Sequence, residues 1–116
     1  MIKAGQLELF ELVLLDVFNL KQKPITVFSR AIKFDRAECY GLYSAIDTRK
    51  SYFHKIRISR KLIKTPEQLF AVMAHEYVHA WQVENDKELL HNESSKFEYW
   101  INYFNMRFET DIVGIV

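Results

Sequence analysis

Residues 75–79 read His-Glu-Tyr-Val-His, two histidines four apart with a glutamate directly after the first. This is the HExxH pattern of zinc hydrolases. On a helix, residues four apart lie on one face, one turn from each other. His75 and His79 can therefore aim an imidazole nitrogen at one metal ion. Glu76 flanks the same face without being a ligand. It can take a proton from a metal-activated water and later pass one to a leaving amine, while the metal polarises a carbonyl. That combination is what peptide hydrolysis requires.

Such spacing is usable only if the motif lies on a helix. Thr65-Pro66-Glu67-Gln68 predicts a helix start. Thr65 serves as N-cap, Pro66 fits the first helical position, and Gln68 closes a capping box. The helix is predicted to run from Pro66 to about Val83, with Leu69, Val72, Met73, Ala80 and Trp81 as its buried stripe and a break at Asn85-Asp86.

Upstream, residues 6–20 place Leu7, Phe10, Leu14 and Phe18 at three- and four-residue steps, a helical period that Lys21–Pro24 should end. Residues 25–32, 38–46 and 52–59 read as strands. Gly41 in the second implies a bulge or a close backbone approach. The third alternates, with Ile56 and Ile58 inward and Lys55, Arg57 and Ser59 outward. A last helix is expected over residues 95–109, with Phe97, Trp100, Ile101, Phe104 and Phe108 on one face. The predicted class is α+β and zincin-like: an N-terminal helix, a small three-stranded antiparallel sheet, the motif helix and a C-terminal helix.

A chain of 116 residues implies one domain, and 49% apolar content a packed core. Cys39 is the only cysteine, so the chain forms no internal disulfide and no cysteine-based zinc ribbon. It reads as a small buried residue. A lone thiol fits a reducing compartment, and no run approaches the ~20 apolar residues of a membrane span, so a cytoplasmic protein without a membrane partner is expected. The net charge of +1 hides an asymmetry. Residues 1–66 hold 13 basic and 6 acidic side chains, whereas residues 67–116 hold 3 and 9. Residues 48–66 carry seven basic side chains and no acid. Arg49, Lys50, Lys55, Arg57, Arg60 and Lys61 are thus candidate nucleic-acid contacts, or the guard of a solvated sheet edge.

A catalytic zinc usually takes three protein ligands, with water in the fourth position. His91, Glu93 and Glu98 follow the motif at useful distances. Glu98, after eighteen intervening residues, resembles the gluzincin arrangement, in which a second helix supplies a glutamate. Other segments point elsewhere. FHKIRISRKLIKTPEQLFAVMAHEYVHAW, VENDKELLHNESSKF and AECYGLYSAI resemble the SprT-like zinc metalloprotease family, that of Spartan-like catalytic domains, over about residues 36–104. The resemblance implies His75, His79 and His91 as zinc ligands, Glu76 as general base, and Glu98 as the alternative third ligand. Asn92 stands where the family has glycine, and the stretch from His91 to Phe97 is longer by about two residues.

The expected function is a zinc-dependent endopeptidase of loose specificity. Its substrate would pair through backbone with the strand at 52–59, around Ile56 and Ile58, and DNA-associated proteins are candidate substrates. The reading from another class is a non-catalytic, zinc-stabilised module that grips a protein or DNA. His54 is read as a non-ligand on the basic strand.

Overall fold

The structure, a computed structural model, describes residues 5–47 and 52–85. Helix α1 spans Gln6–Phe18 and is followed by β1 (Ile25–Ser29), β2 (Lys33–Phe34), β3 (Ala37–Glu38), β4 (Gly41–Asp47), β5 (Tyr52–Ser59) and helix α2 (Pro66–Glu84). The expected helix at 95–109 lies outside the described residues. The class is α+β, as the hydrophobic periods implied.

The first helix ends earlier than Lys21–Pro24 implied. Asn19 takes the left-handed conformation, φ 51°, and its N–H bonds to Leu15 O at 2.9 Å. Asparagine tolerates this region and so closes the helix two residues short. The strand expected at 25–32 stops at Ser29, and the one expected at 38–46 is split. A small hairpin, β2–β3, occupies residues 33–38, with Asp35 and Arg36 both at positive φ. Two consecutive positive φ values make the tight turn that twists with a hairpin. Asp-Arg is an unusual pair there, so the composition gave no sign of it.

The main sheet has the order β1-β5-β4 and is mixed. The expectation of an all-antiparallel sheet is corrected: β1 runs parallel to β5, whereas β4 runs antiparallel to it. The sheet's middle strand is therefore β5. Ile56 and Ile58 are fully buried in the core, and β5 is hydrogen-bonded on both sides. A strand with two partners has no free edge for a substrate, so the assignment of Ile56 and Ile58 to substrate pairing is withdrawn.

Helix α2 packs along the inner face of this sheet. Its start is as expected: Thr65 Oγ1 accepts from Gln68 N–H at 3.1 Å, and Gln68 Oε1 accepts from Thr65 N–H at 3.2 Å. Burial is broader than a stripe. Every residue from 71 to 80 is buried, and Trp81 is half-buried. Helix α1 covers another side of α2, with Phe10 against Phe70 at 5.2 Å between ring centroids and Phe18 near Tyr77 at 6.1 Å. These contacts hold the motif helix against both layers and limit how far it can shift.

Candidate functional site

His75, Glu76 and His79 lie in the enclosed middle of α2, and all three are buried. The two imidazole rings stand edge to face, 5.2 Å apart, as four-residue spacing requires. The His79 tautomer is set by a neighbour one turn on. Gln82 Oε1 lies 2.8 Å from His79 Nδ1, and the amide oxygen can only accept. Nδ1 therefore carries the proton, and Nε2 keeps the lone pair that binds a metal. This arrangement fits two of the three ligands of a zinc site. Among the described residues, no group of three His, Cys, Asp or Glu side chains gathers to complete it. His91, Glu93 and Glu98 lie outside the described residues.

Glu76 faces β4. A β-carbon built on Gly41 would sit 2.6 Å from Val72 Cγ1 and 3.1 Å from Glu76 Oε2. Gly41 thus marks a close approach of helix and strand, one of the two readings its position allowed. The Tyr43 N–H donates to the Glu76 carboxylate. Burial pushes the Glu76 carboxyl up to about 8, against the smaller opposing effect of that hydrogen bond. A carboxyl poised in this range suits proton transfer near neutral pH.

The strand beside the motif helix is therefore β4. Among the described residues it has β5 on one side and no strand on the other. Ser59 N–H bonds to Tyr40 O at 2.9 Å, and Tyr43 N–H turns to Glu76. With antiparallel alternation, Gly41, Tyr43, Ala45 and Asp47 then direct their backbone groups away from β5.

Behind the histidines runs a second polar chain. Tyr43 Oη is 2.7 Å from His54 Nδ1, and His54 Nε2 is 2.7 Å from Glu84 Oε2. Glu84 also accepts from the backbone N–H groups of Lys21, at 2.7 Å, and Gln22, at 3.0 Å. Burial acts to raise the Glu84 carboxyl, but His54 and the two backbone donors outweigh it and leave it below the usual carboxylate value. His54 is fully buried, not a surface residue of the basic strand. Its place was legible, since it lies two residues before Ile56 and shares its face. Gln82 was legible too, three residues after His79 on the same helix. Glu84 carried no comparable signal, because its partners are distant in sequence.

Among the described residues the basic side chains have different surroundings. Arg57 Nε donates to Ser29 Oγ at 3.0 Å, and Lys55 and Arg57 lie on the sheet face away from α2. Arg60 stands over the Phe28 ring, 5.6 Å from its centroid, and Lys61 pairs with Glu38. With Arg30 and Ala31 these last two line an open cleft of about 450 Å³. Arg49 and Lys50 lie outside the described residues. Cys39 is half-buried, more open than expected. No helix among the described residues is long and apolar enough to cross a membrane. The chain matches no protein-family model, no curated protein and no solved structure.

Proposed function

We propose that the protein is a zinc-dependent endopeptidase of loose sequence specificity, a minimal SprT-like catalytic domain. The observation that carries this reading is the position of Glu76: a buried carboxyl beside two histidines on one helix face, turned toward a strand that has no second strand partner among the described residues. His75 and His79 would hold the metal, with His91, or alternatively Glu98, as third ligand. A bound zinc would supply Lewis-acid polarisation of the scissile carbonyl and a more acidic water. An extended peptide would add to β4 through main-chain hydrogen bonds, which read few side chains and so give loose specificity. Glu76 would take the proton of the attacking water and deliver it to the leaving nitrogen.

Purified protein is expected to hold about one zinc per chain and to cleave a denatured protein. Glu76→Gln should keep the metal and lose cleavage. A zinc-free protein that folds normally, or a Glu76→Gln variant that still cleaves, overturns the reading. Metal content of His91→Ala beside Glu98→Ala identifies the third ligand.

The cleft formed by Arg30, Arg60 and Lys61 supports contact with nucleic-acid phosphates, which would bring DNA-associated proteins to the site. Binding to single-stranded DNA at rising salt tests this part; affinity that does not fall with salt counts against it.

A further inference from the structure

Tyr43 is attached to the site at three points. Its backbone N–H donates to Glu76. Its ring centroid stands 6.3 Å from that of His79, at an interplanar angle of 38°. Its hydroxyl is tied to His54, and His54 to Glu84. The direction of this chain follows from its charged end. A carboxylate only accepts, so His54 Nε2 carries the proton shared with Glu84. With that single proton on the ring, Nδ1 is the acceptor and the Tyr43 hydroxyl donates to it. A phenol whose single proton is committed in this way does not serve as donor to a substrate oxyanion. Its part is to hold.

Glu84 supports the same conclusion. It sits in the last turn of α2, where the helix end is negative and a carboxylate is disfavoured. Three donors compensate, from the Lys21-Gln22 connection and from the middle strand of the sheet. The chain therefore joins the end of α2, the segment after α1, β5 and β4, and it terminates on Tyr43, which donates to Glu76 and whose ring lies beside His79.

We infer that Tyr43, His54 and Glu84 form a positioning relay that fixes strand β4 against the motif face of α2, with Tyr43 as the positioning residue for Glu76 and His79. The kinetic arm of its test rests on the peptidase reading; the spectroscopic arm does not.

Tyr43→Phe keeps the ring and the backbone N–H and removes only the hydroxyl. In metal-free protein with ¹⁵N-labelled histidine, His54 should be the Nε2–H tautomer. Tyr43→Phe should shift the ring signals of both His54 and His79. A His79 ring that does not respond, or a His54 protonated on Nδ1, overturns the relay. In the zinc-loaded protein, Tyr43→Phe and Glu84→Gln should each lower kcat by roughly 10- to 100-fold, the loss a small misplacement brings. KM should change by no more than about twofold and zinc should stay bound, and the double variant should lose no more than the weaker single one, as members of one unit do. Unchanged kcat with lower thermal stability, or losses that multiply, overturn the relay. Should Glu84→Gln fail to fold, Tyr43→Phe carries both arms. If the wild-type protein binds zinc but cleaves nothing, the peptidase reading falls, and the His79 spectra alone decide the relay.

Discussion

Gln82 Oε1 accepts a hydrogen bond from His79 Nδ1 at 2.8 Å, from a side chain that is fully buried. One helical turn thus supplies both the His79 imidazole and the group that sets its tautomer. Replacing Gln82 by Leu leaves Nδ1–H without this acceptor and frees the ring to turn. Zinc affinity should fall by about 10- to 100-fold, as losses of such partners do. Gln82→Glu, a carboxylate of the same shape, should restore much of it. Competition with a zinc chelator measures both.

Gly41 is where β4 approaches α2 most tightly, and the obstruction would be Val72, a β-branched side chain with little freedom to rotate away. Gly41→Ala is expected to destabilise the fold by about 1–3 kcal/mol, the range for overpacking. Because the second contact is the Glu76 carboxylate, activity should fall further than stability does. Urea unfolding and turnover on the same sample separate the two losses.

Ala45 lies in β4, and its backbone N–H is directed away from β5 by the alternation that sends Tyr43 N–H to Glu76. Proline is tolerated on an edge strand where its missing N–H faces away from the sheet. Ala45→Pro should therefore fold, yet remove one donor from the edge proposed to pair with substrate. The expected result is a KM raised by roughly tenfold, the worth of one charge-free hydrogen bond. Loss of zinc, or an unchanged KM, would place the substrate elsewhere.

Burial of Glu76 makes the metal-free protein sensitive to pH. Its carboxyl titrates near 8 when folded, against an ordinary value of 4.5. The folded state therefore binds the proton more tightly than the unfolded chain. The associated stability is fully present below pH 4.5 and is lost as the pH rises through about 8. Urea midpoints of chelator-treated protein should fall between about pH 5 and pH 8, and Glu76→Gln should flatten this slope.

Much of the site was written locally. The capped start at Thr65-Pro66, the four-residue histidine spacing and the place of Glu76 all follow from helix geometry, which depends on neighbours in the chain. The class of fold followed in the same way, because hydrophobic period reports which elements bury a face. Gly41 narrowed its own place to a bulge or a close approach, and packing against Val72 made it the second.

Which strand stands at the edge was not local information. Ile56 and Ile58 look like one side of an alternating strand whether that strand is central or outermost, and β1 decides the matter by pairing parallel to β5 across a long connection. The same holds for His54 and Glu84, thirty residues apart and joined only when the end of α2 meets the sheet. The sequence by itself determined the His75, Glu76 and His79 trio and the helix that carries it, through interactions a few residues long. Only the tertiary structure decided which strand faces that trio and which buried groups hold it, because pairing and burial depend on residues that meet through folding rather than through adjacency.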